Sequence, residues 1–539
     1  MLFLRRHALA FGLFLLVLFK LWVVHTEEIY GSSTEYDALW FVNSAKHWYW
    51  GSPYSWTAFV RPPSYPLFIA LAHFCGIPLR IAIELVQMGG FLVLIAALRK
   101  AAVPRVLCLL IFALMVLHPG CLKFNNYSLS DSFYTAILSL ALGGLLLTLF
   151  TKKIIHAVWT GVAFAVLWNA REESFLIPII LALSLGLAFF QPRSAAHSRK
   201  VHAIFWLKRM AVIGGMLFLV VTAVYAANYR VFRSFAKSDM SSPGFEAILK
   251  ALLRIKPTHV QRYIAFSNEA IRMAYEVSPT FAQLKPEFEG QVGRNWQRPA
   301  FDTRGIDEYG PWFMWALRNV TANTGFYRDP ELANRFYRDV AGEINRACDE
   351  RRVPSRFVLS SFLDPGAISR IRYLPRSIPY VAKMFLLTYE KSPVRDDTNL
   401  APWMRSLYEE ICFRRPAVGA SNATIIPATV SAALAIRVQT FVGDTYHFLV
   451  MGLALASLAA LLVLVRYFRR LRMSDAINTT LLLLAGTIAS RFVFFAFLHA
   501  TWWPDLDPRY LLPVMPLSTC FFILLIYQAI AIVRRPVPA

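Results

Sequence analysis

The sequence predicts an all-α polytopic membrane protein: about ten transmembrane helices, one half-inserted helix and a mainly helical soluble insert. Three observations carry that prediction. Apolar residues make up 57% of the 539-residue chain and charged residues only 17%, against roughly 45–50% and about 25% in soluble domains. Apolar runs of about 20 residues, enough to cross ~30 Å of hydrocarbon, recur along both ends of the chain. Lys and Arg alternate sides when those runs are threaded through a bilayer.

The runs fall at 8–24, 79–98, 104–118, 131–150, 154–170, 174–190, 209–227, 443–465, 476–499 and 510–533. The segment 64–76 follows Pro62-Pro63 and is short, which suits a half-inserted helix. With the N-terminus and its Arg5-Arg6 pair inside, the cytoplasmic connections hold eighteen cations and the short outer ones only five. Letting 64–76 span would invert this bias, so both termini are expected to be cytoplasmic. The first run is read as a retained anchor, because LWVVHTEE offers no small-residue cleavage site.

Residues 1–227 thus form an N-terminal transmembrane module with a first outer loop over 25–63. Residues 228–442 form an extracytoplasmic insert, and 443–539 complete the membrane part. The insert carries 30 Lys+Arg and 21 Asp+Glu and is long enough for its own core. Over 330–351, Leu332, Phe336, Val340 and Ile344 share one helical face. Cys348 and Cys412 sit in this insert, where a disulfide between them is open. No paired Cys/His spacing suggests structural zinc. The net charge of +23 does not imply nucleic acid, since the cations sit where a membrane protein places them.

Polar groups gather at the outer ends of the runs. The first loop carries Glu27, Glu28, Glu35 and Asp37, then an aromatic run and Arg61. From Tyr36 to Trp50 the spacing suits an interfacial helix, with Ala38, Phe41, Val42 and Ala45 toward lipid. NNYSLSDSF places Asp131 at the mouth of a span, where Ser130 or Asp131 would also serve as an N-cap. NAREESFLIP compresses Arg171, Glu172 and Glu173 between two spans, and DPRYLLPVMPL opens the last span with Arg509-Tyr510. Arg491 lies eight residues before His499, about 12 Å below the outer end of its helix. An ionisable group at that depth marks a candidate functional site. Asn126, Asn319 and Asn422 open glycosylation sequons, which matter only in a secretory pathway.

These motifs resemble the GT-C superfamily, polytopic glycosyltransferases that use polyprenyl-phosphate-linked sugars, and most closely its protein O-mannosyltransferase and aminoarabinose-transferase branch. The resemblance rests on YDALWFVNSAKHWYWGSPY with RPPSYPLFIALAHFCGIP, on NNYSLSDSFYTAIL, on NAREESFLIP and on DPRYLLPVMPL. It covers most of the first 190 residues and roughly the last 60, but not the insert. It implies an inverting transfer of a sugar from a polyprenyl-phosphate donor to an extracytoplasmic glycan, lipid or protein.

By resemblance Asp37 is the base, with Glu35 and Glu28 as rivals because the first loop departs from the usual Asp-Glu pair. Arg61, Arg171, Arg491 and Arg509 are the candidates for the lipid phosphate, with Tyr510 as a hydrogen-bond partner. Asp131 and Glu172 orient acceptor or cations. Relatives differ over a divalent metal ion at such carboxylates, so that cofactor stays open. Membrane lipids are the remaining expected partner. The bacterial inner membrane is the expected location, with endoplasmic reticulum as the alternative. A secondary transporter and a non-catalytic assembly protein are the competing functions, although no repeated halves are evident.

Overall fold

The computed structural model describes residues 2–31, 36–191, 199–299, 307–361, 363–387, 400–414, 429–471 and 475–534. It is helical almost throughout; the strands described are one two-residue antiparallel ladder, Arg298–Pro299 against Asp307–Glu308. Among the described residues, seven helices are long and apolar enough to cross a membrane. They are Leu79–Lys100, Ser130–Thr151, Glu172–Phe189, Lys200–Phe232, Val430–Arg466, Ala476–Thr501 and Pro508–Arg534. The protein is therefore an all-α integral membrane protein. The other three predicted runs coincide with shorter apolar helices, His7–Val23, Arg105–Val116 and Ile154–Trp168. The second of these stops at Leu117 because Pro119 opens a new short helix, Pro119–Phe124. The half-insertion candidate is an 11-residue helix, Ser64–Phe74.

One apolar core joins these helices, and Leu79–Lys100 against Ser130–Thr151 is its tightest seam. There, small residues let backbones approach. A Cβ added to Gly90 would stand 2.3 Å from the Ala136 carbonyl oxygen, and one added to Gly143 would stand 2.7 Å from the Leu94 nitrogen.

The helix Tyr36–Lys46 departs from expectation. Its stripe of Ala38, Phe41, Val42 and Ala45 is buried in this core rather than turned to lipid. The helices Ser64–Phe74 and Pro402–Cys412 cover it, so a segment of the insert takes the place assigned to lipid.

A second core is built from residues 245–358. Its main helix, Pro330–Asp349, is capped by Asp329, whose carboxylate accepts from the amides of Glu331 and Leu332. Phe336, Val340 and Ile344 face inward as the spacing requires, whereas Leu332 lies at the exposed edge. Tyr54 and Trp56 of the first loop and Trp502 and Trp503 after the Ala476–Thr501 helix also pack on this core, clamping it to the bundle. All six cysteines are free thiols. Cys348 belongs to the second core and Cys412 to the first, which is why the disulfide left open above does not form.

Candidate active site

The convergence begins at the Tyr36–Lys46 helix, whose first turn carries Asp37, an end where the helix dipole favours a carboxylate. Asp37 is ion-paired to Arg61. Arg61 is fixed from behind, because the buried Tyr49 hydroxyl donates to its carbonyl at 2.7 Å. Burial holds the Tyr49 phenol well above its ordinary pKa, so it stays a donor. The Arg61 guanidinium lies 5.0 Å from the ring centre of Trp315, a residue of the insert.

Arg171 is the hub of the second cluster. Its Nη1 donates to Asp131 Oδ1 at 2.5 Å, and its Nε and Nη2 each donate to Glu173 at 2.9 Å. Burial works against this cation, but Asp131 and Glu173 outweigh it and raise its pKa. Ser130 and Asp131 do not cap their helix through side chains; the cap residue is Leu129. Glu172 turns the other way, accepting from Ser238 at 2.6 Å and pairing with Lys237 at 3.2 Å. Lys237 also donates to the Arg171 and Glu172 carbonyls.

Arg491 is fully buried and stands behind this cluster. It donates to the Tyr510 carbonyl at 2.6 Å and to Glu173 at 3.2 Å, over the ring of Tyr134. It does not line the cavity. That placement corrects the expectation that it meets a lipid phosphate: its guanidinium is spent on holding Glu173 and the start of the last helix. Arg509 stands 5.3 Å from the Tyr510 ring centre and pairs with Asp507 at 3.2 Å.

Asp37, Arg61, Asp131, Arg171, Glu172, Arg509 and Tyr510 all line one cavity of about 670 Å³. Glu28 is not among its lining residues, and Glu35 lies outside the described residues. Beside it, a polar cavity of about 350 Å³ shares Leu129 and Arg509 and is edged by Asp505 and Asp507. Among the described residues, no three His, Cys, Asp or Glu side chains gather as a metal site would need. Asp131 and Glu173 are bridged by Arg171.

Sequence reasoning missed the roof. Met240, Trp296, Trp312, Met314 and Trp315 of the insert line the same cavity, with Trp40, Trp502 and Trp503. Lys237 was missed too, and its only signal was proximity to the predicted span at 209–227. A second buried cluster was also passed over. Lys20 Nζ lies 3.4 Å and Arg80 Nη1 2.5 Å from Glu84 Oε1, all essentially inaccessible, and Asn125 donates to the same oxygen. Three charges inside apolar runs were the available signal. Asn126 accepts from Arg80 and donates to Glu27 and Tyr30, so its sequon is buried and consumed. Asn319 is partly accessible within the helix Phe313–Asn323, and Asn422 lies outside the described residues.

Comparison with protein-family models, with curated proteins and with solved structures finds no match to this chain.

Proposed function

We propose that the protein is an integral-membrane inverting glycosyltransferase of GT-C type, moving a sugar from a polyprenyl-phosphate donor to an extracytoplasmic acceptor. The observation that carries the reading is the single cavity into which Asp37, Arg61, Asp131, Arg171, Glu172, Arg509 and Tyr510 converge from four separate stretches of chain. In this reading ten helices span a bacterial inner membrane, the short apolar ones included, with both termini cytoplasmic. The cavity opens to the outside, where a flipped lipid-linked sugar is the accessible donor.

The chemistry is a single displacement. The acceptor hydroxyl or amine attacks the anomeric carbon, the bond to the donor phosphate breaks and its electron pair leaves with the phosphate. Asp37 takes the acceptor proton. Its partner Arg61 orients the carboxylate while leaving donor groups to face the substrate. Charge on the leaving phosphate falls to Arg509, because its acidic partner Asp507 lines the neighbouring cavity, and to Arg61, whereas Lys237 spends its donors on Arg171, Glu172 and Ser174. Arg171 acts as a strut, since Asp131 and Glu173 consume its fork. The tryptophan roof offers stacking surface to a sugar ring and excludes water.

Purified protein in lipid vesicles, supplied with a panel of polyprenyl-phosphate sugars and envelope acceptors, is expected to transfer one of them. Asp37→Asn should lower that rate by about 10²–10⁴-fold with unchanged thermal stability. Full activity in the variant would remove Asp37 from the mechanism, and no transfer from any donor in the panel would overturn the reading.

A further inference from the structure

The stretch 367–387 of the insert is built differently from the rest of it. Its helix Leu374–Leu387 lies along Ala476–Thr501, one of the helices apolar enough to span. Val381 is completely buried there, Phe385 meets Phe492 at 6.4 Å, and Tyr380 stacks on His499 at 4.1 Å. His499 and Ser377 share a 2.9 Å hydrogen bond, and Arg370 donates to the Thr501 carbonyl. From its contact at 501 to that at 492 the segment therefore descends roughly 13 Å beside a span.

The sides turned away from that contact are apolar and basic. Ile368 is 75% exposed, Ile371 45% and Ile378 43%. Arg372, Arg376 and Lys383 are exposed and recur at helical spacing, so they form one stripe beside those isoleucines. Over 356–387 the sequence has five cations and one acid, Asp364, which is buried and spent on Arg370. An apolar patch rimmed by cations, with no exposed acid on the segment's own described residues and continuous with a span, fits hydrocarbon edged by negative headgroups.

We infer that residues 367–387 are an interfacial anchor of the insert, its isoleucines in the acyl region and its Arg372–Arg376–Lys383 stripe holding anionic lipid headgroups. The inference rests on the membrane character of the bundle and not on the transferase reading. Anchored in this way, the insert keeps its tryptophan roof in register with the bundle as the bilayer fluctuates.

The test uses the full chain carrying Cys75→Ser, which removes the one exposed native thiol. A spin label is placed at Ile378→Cys or Ile371→Cys, and the protein is reconstituted in phosphatidylcholine vesicles with or without phosphatidylglycerol. Both labels are expected to collide more with lipid-soluble oxygen than with a water-soluble nickel chelate; the reverse order would overturn the anchor. Spin-labelled phosphatidylglycerol should be held several-fold over phosphatidylcholine. The triple variant Arg372→Gln, Arg376→Gln, Lys383→Gln should bring that ratio close to one. No difference between wild type and triple variant would overturn the headgroup assignment even if the labels sit in lipid.

Discussion

Arg491 and Arg171 illustrate how little a residue's identity says about its task. Both are arginines near one cavity, yet Arg171 is committed to Asp131 and Glu173, and Arg491 to Glu173 and the Tyr510 carbonyl. Removing one partner of such a buried set leaves an uncompensated charge, which costs about 3–5 kcal/mol. Arg491→Met is therefore expected to lower thermal stability in detergent by that order, through Glu173 and the freed Tyr510 carbonyl. Arg491→Met combined with Glu173→Gln should recover part of the loss. A single variant as stable as wild type would show that the pair carries no net energy. The depth of Arg491 was readable from its place in an apolar run, but the direction of its fork was not. That direction depends on the rotation of its helix and on a glutamate 318 positions away.

Among the elements, the seam between Leu79–Lys100 and Ser130–Thr151 makes the sharpest demand. A methyl at position 90 meets a carbonyl oxygen that cannot move without shifting a helix. Gly90→Ala should cost about 1–3 kcal/mol by overpacking, whereas Gly89→Ala, with open space around its Cβ, should be neutral or mildly stabilising. Equal melting temperatures for the two variants would mean that the seam is looser than its geometry. The insert has its own sensitive joint. Glu343 accepts from both hydroxyls of Ser278 and Thr280 and from the Thr280 amide. Burial pushes its carboxyl pKa up, but these donors outweigh it and hold the pKa below the ordinary value. A depressed acid contributes stability that is fully present above the unfolded pKa of about 4.3 and lost as pH falls through the folded value. Unfolding of the full chain should therefore become easier below that pH, and Glu343→Gln should flatten this acid limb; an unchanged limb would assign it to other carboxylates. The helix carrying Glu343 was legible from its apolar spacing over 330–351. Its partners lie 63 to 65 residues upstream, beyond any local pattern.

For the whole molecule the open question is sidedness. The Lys/Arg asymmetry argues that the insert lies outside and that the 199–209 connection lies inside. On the Cys75→Ser background, a membrane-impermeant maleimide on intact cells should label Lys256→Cys directly, and Lys208→Cys only after permeabilisation; both are exposed positions. The opposite pattern would overturn the orientation and, with it, the choice of a flipped lipid-linked donor. The same scale explains the largest surprise. The insert, which no motif connected to the site, contributes Lys237 and a tryptophan roof to the cavity and covers the Tyr36–Lys46 helix through Pro402–Cys412.

The sequence by itself determined the membrane character, the helical class, the positions of the long apolar helices and the short list of polar groups at their ends. Those properties are written in composition and in stretches of about 20 residues, which a bilayer reads locally. Tertiary structure alone decided which carboxylate meets which guanidinium, that Arg491 is a strut, that Ala38, Phe41, Val42 and Ala45 face protein, and that the insert lines the cavity. Each depends on helix rotation and on contacts between residues far apart in sequence, where packing rather than local pattern chooses the partner.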